Sequence, residues 1–147
     1  METQPINKNE EKQEEPYKKE WKIILYQTDT GKCPVNDFLS KLSRKDEENM
    51  IKSIMYLKSV GNEIRRPHGA FLRDDVYELR VTLKNNNTRT LYFFCFDEYI
   101  VLTHTFKKKT QKVPDNEIER AIRYRNNFLL KYNKENIQEV YDDTKLY

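Results

Sequence analysis

Along residues 76–114 (VYELRVTLKNNNTRTLYFFCFDEYIVLTHTFKKKTQKVP) apolar and polar positions alternate with a period of two, which predicts strands. In the first run Val76, Glu78, Arg80, Thr82 and Lys84 project to one side, and Tyr77, Leu79, Val81 and Leu83 to the other. Asn85, Asn86 and Asn87 suit a hairpin connection, because asparagine tolerates positive φ. Residues 89–96 form a second strand, apolar enough to be central. Asp97 and Glu98 then turn the chain into a third strand over residues 99–106. The segment reads as a three-stranded antiparallel meander with one oily face and one face that carries Arg80.

Ahead of the meander, the compact apolar run WKIILY at 21–26 predicts a strand. Pro34 suits the first turn of a short helix reaching about Leu42, with Val35, Phe38, Leu39 and Leu42 at helical spacing. Ser43 with Asp46 three residues on forms a capping box for a second helix, buried through Met50, Ile51, Ile54 and Leu57 and stopped at Gly61. Residues 62–75, broken by Pro67 and Gly69, read as a loop. Pro114, Asp115, Asn116 and Glu117 open a third helix, with Ile118, Ala121, Ile122, Phe128 and Leu129 on its buried face. A strand placed before two helices cannot bury itself alone, so it is expected to join the meander. The expected fold is α+β: a small twisted antiparallel four-stranded sheet, with two N-terminal helices packed on one face and a C-terminal helix. Residues 1–19 are expected to be a disordered arm, 20–133 one domain and 134–147 a polar tail.

A formal net charge of +3 names no partner by itself, but the charges are unevenly placed. Glutamates outnumber lysines in the first twenty residues, whereas the meander and its exit carry Arg80, Lys84, Arg89, Lys107, Lys108, Lys109 and Lys112 against Glu78, Asp97 and Glu98. A locally basic surface on a near-neutral protein points to a specific anionic ligand; the competing reading is a solvated surface in which Glu78 and Glu98 absorb the charge. Cys33 and Cys95 have no histidine or cysteine near them in sequence, which argues against a zinc site and for a reducing compartment. No run is apolar and long enough to span a bilayer, and a cytoplasmic protein with no membrane association is expected.

Candidate chemistry follows from the meander. Arg80 and Arg89 lie on strands joined by one hairpin, and guanidinium groups bind phosphate through paired donors. Lys107, Lys108 and Lys109 close the last strand; Tyr92 offers a stacking surface for an unpaired base, and Arg73 widens the basic surface from the preceding loop. His104 is either a satisfied core histidine or a proton carrier. His68 and His104 lack ligand spacing, and the chain has neither a nucleophile elbow nor a glycine-rich phosphate loop. No metal or cofactor is expected. RNA permits phosphodiester cleavage without one: the 2′-OH attacks the adjacent phosphate, given positive charge for the transition state and a proton for the 5′-oxygen.

Three segments, LRDDVYELR (72–80), TRTLYFF (88–94) and VLTHTFKKKTQKVPDNEIERA (101–121), resemble the RelE/ParE toxin superfamily, and within it the phage-derived HigB-like branch. The resemblance covers residues 21–130. It implies the toxin of a type II toxin–antitoxin pair: a metal-independent, ribosome-dependent endoribonuclease that cuts messenger RNA in the ribosomal A site. It also implies a cognate antitoxin, typically a helix-turn-helix protein. The functional arginines of the family fall on Arg80 and Arg89, and its basic residue after the last strand falls on Lys108 or, alternatively, Lys107. Substrate contacts are expected from Lys107, Lys109, Tyr92, His104 and Arg73. Thr105 stands where the branch has a glycine, and Lys107 where it has an apolar residue. ParE-like members inhibit gyrase instead, so a non-catalytic toxin and an inactive phage accessory protein are the alternatives.

Overall fold

The computed structural model describes residues 19–143. Its elements are β1 (Lys22–Leu25), α1 (Pro34–Ser40), α2 (Arg44–Val60), a 3-10 turn (Gly61–Glu63), β2 (Gly69–Arg73), β3 (Val76–Thr82), β4 (Asn87–Cys95), β5 (Tyr99–Lys107), α3 (Asp115–Lys131) and α4 (Ile137–Asp143). The fold is α+β, as the sequence predicts. Residues 1–18 and 144–147, which include nearly all of the expected arm and the end of the expected tail, lie outside the described residues.

Helix boundaries follow local chemistry. Pro34 stands at the start of α1, where its missing N–H costs nothing. The Ser43 hydroxyl accepts from the Asp46 N–H at 3.2 Å and caps α2, a contact of about 1 kcal/mol. Gly61 ends α2 at φ +55°, and a Cβ there would fall 1.9 Å from Trp21 Nε1. Conformation and packing both require glycine at that point.

The sheet has five strands, not four, in the order β1-β5-β4-β3-β2. The additional strand, β2, lies in the segment read as a loop. It pairs antiparallel with β3 through a tight turn in which Asp74 and Asp75 both hold positive φ (51° and 62°), a conformation Asp adopts with little penalty. Because β2 covers the outer edge of β3, the first strand is left with the edge of β5. It pairs there in parallel, Ile23 with Ile100 and Ile24 with Val101, so the sheet is mixed, not antiparallel throughout. The turn after β4 also falls one residue earlier than expected, at Phe96 and Asp97.

Both sheet faces are covered, which corrects the expectation of one oily face. On one face Ile23, Leu25, Leu79, Val81, Tyr92, Ile100 and Leu102 pack against Val35, Leu39, Met50, Ile54 and Leu57 of α1 and α2. On the other, Ile24, Phe93 and Val101 meet Phe128 and Ile137, while Val76 and Leu91 meet Ile118 and Ala121. The segment expected as a polar tail thus supplies α4, whose Ile137 is buried with Val140 and Tyr141 against the same cluster. Among the described residues no helix is long and apolar enough to cross a membrane.

A β-bulge sets the chemistry of β5. Leu91 pairs with His104 and Tyr92 with Leu102, so Thr103 is the extra residue. Its hydroxyl donates to the Leu91 carbonyl at 3.0 Å. The bulge reverses the alternation of β5, so that His104 and Phe106 face α3 rather than α2.

Candidate functional site

The register of β3 and β4 places Arg80 directly opposite Arg89. Two guanidinium groups in adjacent cross-strand positions repel by about 3 kcal/mol at an effective dielectric near 20. Glu78, on the same face of β3 and 2% exposed, supplies the compensating charge. Its Oε2 accepts from Arg80 Nε at 2.9 Å, and its Oε1 lies 3.1 Å from Arg89 Nε. The second contact is one of charge rather than an aligned hydrogen bond, since neither atom has a hydrogen-bond partner among the described residues. Arg89 is fixed further by donating to the Thr88 carbonyl at 2.9 Å. Burial lowers its pKa and the Arg80 charge adds to this, against the pull of Glu78.

Lys108 completes the group. Its backbone N–H donates to the Asn87 carbonyl at 2.8 Å, which continues the β4–β5 ladder past the end of β5. Its ammonium pKa is lowered by burial, then by the Arg89 charge, with Glu78 opposing and Arg80 adding. Among the described residues one carboxylate therefore faces three cations, a surplus of positive charge. Arg80 and Arg89 open onto a cleft of about 580 Å³, whose far wall is Asn49, Lys52 and Ser53 of α2, with His68 at one end. The arrangement is suited to holding an anion with paired donors in a partly desolvated setting.

The other expected site residues are dispersed. Lys107, registered opposite Thr88, and Lys109 are exposed. Arg73 lies at the far end of β3 and is engaged by acids: Asp74 at 2.5 Å, Asp115 at 3.7 Å and Glu119 at 3.9 Å. Tyr92 is fully buried on the opposite sheet face, stacked on Tyr77, and its hydroxyl pKa is raised by burial. His104 is 1% exposed beneath α3, with Nε2 at 2.9 Å from Glu117 Oε1 and Nδ1 at 3.0 Å from the Thr103 hydroxyl. Burial drives its pKa down to about 4, against the pull of Glu117 and with Arg120 reinforcing burial. Burial removes Tyr92 and His104 from the surface on which substrate contacts were expected. Of the expected set, Arg80, Arg89 and Lys108 are brought together.

Glu78 and the α2 side of the cleft are the features sequence reasoning left out of the site. Glu78 has a recognisable signal, since it shares the face of Arg80 two residues earlier on a strand. Asn49, Lys52 and Ser53 carry none, because a polar helix face looks the same over solvent as over a cleft. Among the described residues no group of three His, Cys, Asp or Glu side chains is placed to hold a metal ion.

Fold and site together define a small α+β protein whose sheet presents a compensated but net cationic cluster at one end. The chain belongs to the Gp49-like family of phage-derived proteins (DUF891), whose profile matches residues 37–126 and so spans Arg80, Arg89, Glu78 and Lys108. This family is associated with RelE-like toxins. No curated protein matches the chain.

Proposed function

We infer that this protein is the toxin of a type II toxin–antitoxin pair of the HigB-like kind and that it cleaves messenger RNA on the ribosome without a metal. The observation that supports the reading is the convergence of Arg80 and Arg89 on one open cleft, with Glu78 between the two guanidinium groups and Lys108 close enough to feel their charge. In this reading the arginines bind the scissile phosphate and stabilise the charge that grows on it as the neighbouring 2′-OH attacks. Lys108, whose lowered pKa eases loss of its proton, binds the same phosphate and protonates the departing 5′-oxygen. The 2′-OH releases its proton to solvent, the 5′-oxygen takes one from Lys108, and solvent reprotonates the lysine, so the products are a 2′,3′-cyclic phosphate and a 5′-hydroxyl with no net change in protons. Messenger RNA in the ribosomal A site is the substrate, and a helix-turn-helix antitoxin binds the toxin directly.

Brief induction followed by primer-extension mapping of transcripts tests the reading. Discrete cuts within translated messages, lost when Arg80 or Arg89 is replaced by alanine, are the expected result. Intact transcripts accompanied by replication arrest would instead assign the protein to the gyrase-directed class, and harmless high-level expression would make it an inactive accessory protein.

A further inference from the structure

The cationic cluster accounts for one wall of the cleft and leaves the other unexplained. β2 leaves β3 after the Arg80 N–H donates to the His68 carbonyl at 2.8 Å, so among the described residues no strand lies beside the edge of β3 beyond that point. By strand alternation the Thr82 N–H and C=O point to this open edge. Across from it, α2 presents Asn49, Lys52 and Ser53 to the cleft. Among the described residues no hydrogen bond, ion pair or ring contact occupies these three side chains. A second, smaller cavity of about 180 Å³ adjoins the first through Lys52, Ser53, His68 and Arg80 and reaches Tyr56. Tyr56 is 44% exposed, and its ring lies 5.2 Å from that of His68. The cleft thus runs from two guanidinium groups, past unused hydrogen-bonding groups, to an exposed aromatic pair.

That sequence of groups matches the parts of one nucleotide: phosphate, sugar and base edge, base face. We propose that the limb of the cleft between α2 and the free edge of β3 is a nucleobase subsite. A single unpaired ribonucleotide lies there with its phosphate on Arg80 and Arg89 and its base against Tyr56 and His68. Asn49, Ser53 and the Thr82 backbone meet the polar edge of the base and discriminate among bases, because a buried donor or acceptor left unpaired by the wrong base is costly. The inference rests on the nuclease reading for its biological substrate, but not for its test.

The test titrates the purified full-length chain with the four nucleoside 3′-monophosphates, ribose 5-phosphate and inorganic phosphate, read by calorimetry at fixed salt. Stacking on an aromatic side chain strengthens binding about tenfold or more. At least one nucleotide is therefore expected to bind about tenfold more tightly than ribose 5-phosphate, and the four to differ among themselves. Tyr56→Ala and His68→Ala are expected to abolish that advantage while leaving ribose 5-phosphate binding unchanged, and Asn49→Ala to level the four nucleotides. Ser53→Leu, a surface change that fills the limb, supplies an independent block. Equal binding of nucleotides and ribose 5-phosphate, or a nucleotide advantage that survives Tyr56→Ala, His68→Ala and Ser53→Leu, overturns the subsite. Base-dependent binding with uncut transcripts would sustain the subsite and remove the nuclease; cut transcripts with base-independent binding would do the reverse.

Discussion

Two polar clusters sit side by side on the same sheet face and meet opposite fates. His104 pairs with Leu91, and two positions along, Phe106 pairs with Arg89. Over His104 the face is roofed by α3, and each ring nitrogen has a partner, Glu117 on one side and Thr103 on the other. Phe106 stacks on the imidazole and Tyr124 meets it edge-on. Over Arg89, among the described residues, the cluster opens onto the cleft and the single carboxylate of Glu78 is outnumbered by cations. The first cluster is closed in space and its one carboxylate faces one imidazole, whose pKa burial lowers. The second is unfinished in both respects, and an unfinished buried cluster is where a ligand completes the structure. The difference lies in what covers the residues, not in the residue types.

The strongest way to break this contrast is to empty each cluster and compare the losses. Arg80→Ala is expected to lower RNA cleavage by about 100-fold to 1,000-fold, the usual effect of removing one donor to a transition-state anion. Because it removes the hydrogen-bonded partner of the buried Glu78, it should also lower the urea midpoint. Arg89→Ala should match that catalytic loss and in addition destabilise by about 3 kcal/mol, because it leaves the Glu78 carboxylate buried beside one partner fewer. Cleavage at wild-type rates in either variant would dissolve the distinction.

Acid titration probes the sealed cluster. The folded pKa of His104, about 4, lies below its unfolded value of 6.5, so the unfolded chain takes up the proton first as pH falls. The contribution is complete above about pH 6.5 and is lost progressively toward pH 4, an effect on the order of 2–3 kcal/mol. Urea unfolding at pH 7.5, 5.5 and 4.5 should show the decline, and His104→Asn should flatten it. A steeper decline in the variant would contradict the burial argument.

Salt dependence probes the open cluster. Three cations meeting single-stranded RNA predict a slope of log K against log salt near −2, and Lys108→Ala should reduce it by about 0.7. The smallest effect belongs to Lys107 and Lys109. Their alanine variants should change cleavage less than about threefold at physiological salt, with a larger effect at low ionic strength. Filter binding across a salt series, paired with cleavage assays, measures both.

Much of the scaffold is legible in the chain because its signals are local. The Ser43 cap, the Gly61 stop, the proline at the start of α1 and the period-two runs of β3, β4 and β5 depend on neighbours within a few residues. β2 escaped because Pro67 and Gly69 read as loop punctuation and two aspartates do not advertise a positive-φ turn. α4 escaped because three apolar residues, Ile137, Val140 and Tyr141, are a thin helical signal in a polar stretch. Arg80 and Arg89 could be named from the hairpin, and the register then set them face to face.

By itself the sequence determined the class of fold and the meander, since both are written in spacing along the chain. Only tertiary structure decided the rest: that the bulge at Thr103 turns His104 beneath α3, that Tyr92 belongs to the opposite core, that Glu78 sits between two guanidinium groups, and that α2 walls the cleft. The physical reason is that burial and charge surplus are properties of what lies across the space from a side chain. One extra residue in one strand is enough to change that partner, and with it the role.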